Sequence, residues 1–93
     1  MNNKILVVDD ETMMRDLLRD YFEAENYQIA TAEGYAAAIA ALSQKPDIIL
    51  LDINMPGVDG LTLCREIRKY IACPILFLTA KITEQDKIDG FQA

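Results

Sequence analysis

Two short apolar runs that end in aspartate decide how this chain folds, namely KILVVDDE at residues 4–11 and DIILLDINMPG at residues 47–57. Each run has four consecutive apolar residues without polar alternation, which is typical of a parallel strand covered on both faces. Asp9 and Asp10 follow the first run, and Asp52 follows the second. Carboxylates at the carboxyl ends of two such strands can meet in one crevice, so the pattern indicates a hard metal ion and phosphate chemistry.

The spacing of the apolar residues changes after the first run and predicts an amphipathic helix. The helix is expected to span about 13 residues and to begin near Glu11 or Thr12. Its predicted apolar face consists of Met14, Leu17, Leu18, Tyr21 and Phe22. Its predicted polar residues are Arg15, Asp16, Arg19, Asp20 and Glu23.

The rest of the chain continues the alternation of strands and helices. Further strands are predicted at residues 28–31, 48–51 and 75–78, and helices at residues 33–44, from 59–60 onward, and 83–91. The second helix should end at Lys45-Pro46, because proline cannot extend a helix. In the third helix, the expected buried face consists of Leu61, Cys64, Ile67 and Ile71.

This alternation predicts an α/β fold, a doubly wound parallel sheet with right-handed crossovers. In such open sheets the ligand lies outside the carboxyl ends of the strands, where the strand order reverses. If the first and third strands flank that point, Asp9, Asp10 and Asp52 converge there.

The composition bounds the class of protein. The 93 residues form at most one small domain, with 52% hydrophobic residues and a net charge of −6. Without a basic stripe, this stretch is not expected to bind nucleic acid or an anionic membrane. Cys64 and Cys73 have no histidine to complete a zinc site and are expected to be reduced thiols. No membrane span or signal peptide is recognisable, so a cytoplasmic location is expected.

Three clustered carboxylates repel one another, and a Mg²⁺ ion would relieve that repulsion. A backbone carbonyl after Asp52, such as that of Asn54, would add a further oxygen ligand. A carboxylate in this position can attack phosphorus and become an aspartyl phosphate. Thr79, at the end of the last predicted strand, would offer its hydroxyl to the phosphoryl oxygens.

Each of these residues also has a simpler interpretation. Asp9 and Asp10 could merely favour a helix N-terminus, Asp52 could cap a turn, and Thr79 could be an ordinary strand-end residue. The functional interpretation is favoured because all of them fall at the same end of one predicted sheet.

Three segments resemble one known family in order and spacing, namely residues 5–11, residues 46–60 and residues 74–80. Over its whole length the chain is similar to the receiver domain of two-component response regulators. The resemblance implies a flavodoxin-like sheet, with strand order 2-1-3-4 in this chain. It also implies a signalling domain rather than an enzyme, phosphorylated by a sensor histidine kinase.

The resemblance also implies a role for each site residue. Asp52 would be the phosphoacceptor, and Thr79 the switch hydroxyl that moves toward the phosphoryl group. For Mg²⁺, Asp10 would be a direct ligand, Asp9 would act largely through water, and Asn54 would give its carbonyl. The style of the segments also resembles the subgroup with a winged-helix DNA-binding output domain, so output and DNA binding would need a longer chain.

The chain departs from the family pattern after residue 93, where receivers continue into a fifth strand and helix. Residues 1–93 are therefore expected to be a receiver domain that is incomplete at its C-terminus, with no output domain. The uncovered edge of the fourth strand is expected to make this form self-associate.

Two other functions stay open on the sequence. A small Mg²⁺-dependent aspartyl-phosphate phosphatase would need a general acid two residues after Asp52, where this chain has Asn54. A structural adaptor without a working site would differ from a receiver in not binding Mg²⁺. A nucleotide-binding module is disfavoured, since neither G-x-x-x-x-G-K nor G-x-G-x-x-G occurs.

Overall fold

A computed structural model describes residues 3–53, 55–57 and 59–78 of the chain. Strands and helices alternate through these residues as the sequence predicts. The elements are β1 (Lys4–Val8), α1 (Thr12–Ala24), β2 (Gln28–Ala32), α2 (Tyr35–Ala41), a 3₁₀ turn (Leu42–Gln44), β3 (Ile48–Asp52), α3 (Gly60–Arg68) and β4 (Ile75–Leu78). The second helix is shorter than predicted, because its last turn tightens to 3₁₀ and Lys45 then adopts a left-handed conformation. The helix predicted at residues 83–91 lies outside the described residues.

The described strands form one parallel sheet in the order β2-β1-β3-β4, which confirms the predicted flavodoxin-like arrangement. β1 lies between β2 and β3, with Val8 opposite both Ala32 and Leu51. The chain leaves β1 to one side to form β2 and then crosses to the other side to form β3. The strand order therefore reverses between β1 and β3, where the sequence analysis expects the ligand site.

The core has two parts, because successive side chains of a strand point to opposite faces of the sheet. On one face, Leu6, Val8, Ile49 and Leu51 pack with Ala38 and Ala41 of α2 and with Leu63 and Ile67 of α3. On the other face, Ile5, Val7 and Leu50 pack with Leu18 and Phe22 of α1. Covering both faces explains why the strand sequences are apolar without alternation, and each buried aliphatic side chain stabilises the fold by roughly 1.5–3 kcal/mol.

The apolar face predicted for α1 is too wide. Leu18 and Phe22 contact the sheet, whereas Leu17 and Tyr21 are each 62% exposed. Adjacent residues of a helix are about 100° apart around its axis, so one pair at four-residue spacing meets the sheet while the preceding pair turns away.

The face predicted for α3 is displaced by part of a turn. Leu61 is 54% exposed, and Leu63, which was not predicted to be buried, is fully buried with Ile67. Cys64 and Ile71 are partly buried at the margin of the same cluster. The start of the helix explains the rotation. Gly60 is buried against the residue that follows β3, which sets the side of the helix that faces the core.

Two residues define the start of α3. Asp59 is the N-cap, and its carboxylate accepts hydrogen bonds from the Thr62 hydroxyl at 2.9 Å and from the Leu61 amide at 3.0 Å. These two bonds, that from Thr62 first, hold the pKa of Asp59 below its usual value. At Gly60, a side-chain β-carbon would lie 2.6 Å from the α-carbon of Ile53, so only glycine fits there without a shift.

β4 pairs with β3 alone among the described strands, and Leu76 and Phe77 on it are exposed. Self-association through this strand stays a prediction. Within the described part of the chain, no helix has the length and apolar character needed to cross a membrane.

Replacing Gly60 with alanine is expected to lower the free energy of unfolding by about 1–3 kcal/mol, because the new methyl group overlaps the backbone of Ile53. Gly34→Ala is the matched control, since nothing lies within 4 Å of a β-carbon built at Gly34. Urea unfolding of both variants measures the difference. Equal stability of the two variants would show that the close approach of Gly60 to Ile53 is not a constraint.

Candidate functional site

The sheet brings together the three aspartates predicted to form a site. Asp52 is the last residue of β3, and Asp9 directly follows β1. Val8 of β1 lies opposite Leu51 of β3 in the parallel register. The next residue along each strand, Asp9 and Asp52 respectively, therefore lies beside the other. One ligand oxygen from each of Asp9, Asp10 and Asp52 lies within 4.8 Å of the others.

The cluster is unusual in its burial. Asp9 and Asp52 are fully buried, and Asp10 is half-buried. Aspartate is rarely buried, because removing a carboxylate from water is costly unless other charges or hydrogen bonds compensate it. Three carboxylates in so small a volume also raise the negative potential of the site. The arrangement therefore favours a cation in this crevice.

The residue Asp9 is held by hydrogen bonds from three directions. Its amide donates to the Ala32 carbonyl at the end of β2, at 3.0 Å. Its Oδ1 accepts from the amide of Glu11, at 2.9 Å. Its carbonyl accepts from Nη1 of Arg15, at 2.7 Å. The connection between β1 and α1 is thus fixed by a strand, by the first turn of a helix and by a side chain.

Arg15 is a residue of the site that the sequence analysis missed. It was placed with the polar residues of α1, but its side chain turns back to the β1–α1 connection and is half-buried. Its second terminal nitrogen, Nη2, donates to the hydroxyl of Thr12 at 3.1 Å. The signal in the sequence was weak, since a charged residue in an amphipathic helix is most often solvated.

Two further predicted site residues, Asn54 and Thr79, lie outside the described residues. The carbonyl ligand assigned to Asn54 and the switch hydroxyl assigned to Thr79 stay predictions.

The donor set matches a hard divalent cation. All three side chains offer carboxylate oxygen, which Mg²⁺ prefers to nitrogen or sulfur. With Mg–O distances of about 2.1 Å, ligands on opposite sides of the ion are about 4.2 Å apart, close to the spread of this cluster. A water molecule between one carboxylate and the ion would accommodate the remainder. The residues present therefore fit Mg²⁺.

The two cysteines lie away from this chemistry. Cys64 and Cys73 are half-buried free thiols at the margin of the core beneath α3. Burial raises the pKa of Cys73, which favours its neutral thiol over the nucleophilic thiolate.

We expect the crowding of the carboxylates to lower the stability of the metal-free protein. Asp10→Asn keeps the shape of the side chain and removes one charge, so it should raise the free energy of unfolding without Mg²⁺ by about 1–3 kcal/mol at low salt. Asp20→Asn, an exposed position on α1, is the control for loss of one negative charge. Urea unfolding in a chelating buffer measures both. A loss of stability in Asp10→Asn relative to Asp20→Asn would contradict the repulsion.

Comparison with known proteins shows which family this chain matches. The family model described as "response regulator receiver domain" matches residues 5–93. The chain is 54% identical over 91 residues to the transcriptional regulatory protein ResD of Bacillus subtilis, and the match covers 97% of this chain and 38% of ResD. It is 41% identical over 87 residues to the transcriptional regulatory protein YxdJ of the same organism, with 92% and 38% covered. The chain thus spans well under half the length of these relatives.

Solved structures with the same fold include two bacterial signalling proteins. The chemotaxis protein CheY4 of Vibrio cholerae superposes with a TM-score of 0.81 at 28% identity, over 99% of this chain and 80% of CheY4. The BeF₃-activated receiver domain of RstA from Klebsiella pneumoniae superposes with a TM-score of 0.76 at 32% identity, over 97% of this chain and 78% of that one.

Proposed function

The chain belongs to the response regulator receiver domain family, and on that basis we propose that Asp52 accepts a phosphoryl group from a sensor histidine kinase in a Mg²⁺-dependent reaction. The observation that carries the proposal is the convergence of three carboxylates at the strand ends, with one oxygen of each within 4.8 Å of the others. Asp52 is proposed as the acceptor because the resemblance to the receiver family assigns it that role, and it ends β3, one of the two inner strands that flank the point where the strand order reverses.

In the proposed reaction, an oxygen of the Asp52 carboxylate attacks phosphorus as the bond from phosphorus to the donor nitrogen breaks. The donor histidine takes up a proton, and Asp52 becomes a mixed anhydride. The buried strand β3 holds the nucleophile at a fixed position, which lowers the entropic part of the barrier.

Asp9 and Asp10 are proposed to hold the metal together with Asp52, with Asp10 as a direct ligand and Asp9 acting largely through water. When bound, Mg²⁺ supplies positive charge that offsets the repulsion between the carboxylates and an incoming phosphoryl group. The carbonyl of Asn54 is proposed as a further ligand, and the hydroxyl of Thr79 as the switch group that moves toward the phosphoryl oxygens.

We further propose that the chain acts in the cytoplasm as a signalling domain and not as an enzyme with a diffusible product. Residues 1–93 are proposed to form the receiver unit of a longer protein, since the chain spans 38% of each of two transcriptional regulatory relatives. Phosphorylation of Asp52 would control an output domain elsewhere in that protein, proposed to be of the winged-helix DNA-binding type. Transcription would then be the regulated process.

The test of phosphotransfer uses the full natural chain with acetyl phosphate, a small phosphodonor, and Mg²⁺. Intact-mass spectrometry is expected to show one added phosphoryl group in the wild type and none in Asp52→Asn. The matched control is Asp47→Asn, just before the other end of the same strand, where Asp47 accepts from the Lys4 amide at 2.8 Å. This control should be labelled like the wild type. Equal labelling of wild type and Asp52→Asn would refute the assignment of the acceptor.

A second test concerns the metal and also separates a receiver from a structural adaptor. Binding to the native state alone should stabilise the wild type by about 1.4 kcal/mol when Mg²⁺ is at ten times its dissociation constant. Asp10→Asn should lose this stabilisation, whereas Asp20→Asn should keep it. Thermal melts with and without Mg²⁺ measure the effect. An undiminished Mg²⁺ shift in Asp10→Asn would exclude Asp10 as a ligand.

A further inference from the structure

Arg15 lies one turn into α1 and joins the β1–α1 connection, which carries Asp9 and Asp10, to the first turn of the helix. Its Nη1 donates to the carbonyl of Asp9 at 2.7 Å, and its Nη2 donates to the hydroxyl of Thr12 at 3.1 Å. The first bond is short, as expected when a charged donor meets a carbonyl. The second ties the same guanidinium to the first turn of the helix.

We propose that Arg15 is a positioning residue for the metal and phosphoryl site, which it serves by fixing the peptide that joins Asp9 to Asp10. This inference rests on the proposed function for the identity of the metal. It adds to that function a residue that touches neither the metal nor the phosphoryl group.

The geometry of the peptide gives the reason. The amide and Oδ1 of Asp9 are held by Ala32 and Glu11, which fixes the residue Asp9 itself. The carbonyl of Asp9, however, belongs to a planar unit that also contains the amide nitrogen and α-carbon of Asp10. Orienting that carbonyl therefore sets the position from which the side chain of Asp10 leaves the backbone. Arg15 is the residue that orients it from the helix.

The positive charge of Arg15 is expected to lower the affinity for Mg²⁺, whereas its positioning of the peptide is expected to raise that affinity. A guanidinium near the site repels Mg²⁺, so loss of the charge alone would tighten binding. Fixing the peptide favours binding, because a ligand that must be ordered first binds a metal more weakly. Residues that orient metal ligands typically contribute 10–100-fold to affinity, and we therefore expect positioning to prevail.

Two substitutions separate the two effects. Arg15→Ala removes both the charge and the two-pronged contact, whereas Arg15→Lys keeps the charge but cannot bridge the Asp9 carbonyl and the Thr12 hydroxyl in the same way. Thr12→Val leaves Arg15 in place and removes only its second anchor. Arg19→Ala is the matched control, since Arg19 lies one turn further along α1 and pairs with the half-buried Asp16.

The main experiment is calorimetric titration of the full natural chain and these variants with Mg²⁺. Arg15→Ala is expected to raise the dissociation constant about tenfold, with most of that increase also seen in Arg15→Lys and a smaller one in Thr12→Val. Arg19→Ala should match the wild type. Wild-type affinity in both Arg15→Ala and Arg15→Lys would show that Arg15 does not position the peptide, and tighter binding in Arg15→Ala would show that repulsion prevails. Either result would overturn the proposal.

A second measurement uses no metal and no phosphodonor. Hydrogen exchange of the Glu11 amide should accelerate at least fivefold in Arg15→Ala, because the bond from that amide to Oδ1 of Asp9 spans the peptide that Arg15 orients, while amides within β1 exchange as before. Unchanged exchange at Glu11 would overturn the positioning role, even if phosphotransfer to Asp52 is confirmed. Conversely, equal labelling of Asp52→Asn and wild type would refute the proposed acceptor without affecting this result.

Discussion

The parallel register between β1 and β3 is the constraint on which the site depends. It places Val8 opposite Leu51. The residues that follow them, Asp9 and Asp52, must therefore lie at the same edge of the sheet. The apolar side chains on both faces fix this register, since a slip by one residue would exchange the sides that face α1 and α3. The hydrophobic core thus supplies the stability that holds two buried carboxylates side by side.

The two connections that complete the site are held by different means. The connection after β1 is fixed by hydrogen bonds, since Asp9 donates to Ala32 and accepts from Glu11 and Arg15. After β3, Ile53 is held by close packing, because Gly60 at the start of α3 lies against its backbone. Hydrogen bonds orient individual peptides, whereas packing fixes where a whole helix begins.

The strands β1, β3 and β4 could be predicted from the sequence because each contains an uninterrupted apolar run. The order of the strands, and with it the convergence of the three aspartates, was implied by the resemblance to the receiver family. The helix faces were predicted less well. A period of 3.6 residues reveals that a helix has an apolar side, but the angle at which that side meets the sheet depends on tertiary contacts. The apolar pattern therefore predicts Leu61 instead of Leu63 on the buried face of α3, and predicts Leu17 as well as Leu18 on that of α1. Arg15 could not be found, since nothing in the sequence shows that its side chain folds back.

The negative charge of the site has two opposed consequences. It is expected to destabilise the metal-free protein, because the carboxylates of Asp9, Asp10 and Asp52 lie close together and two of them are fully buried. The same charge attracts a divalent cation. Removing a carboxylate is therefore expected to stabilise the metal-free protein and to lower its affinity for the cation. A core that covers both faces of the sheet makes this compromise possible. The strands that carry Asp9 and Asp52 are stabilised independently of the metal, so the repulsion strains the site without unfolding the sheet.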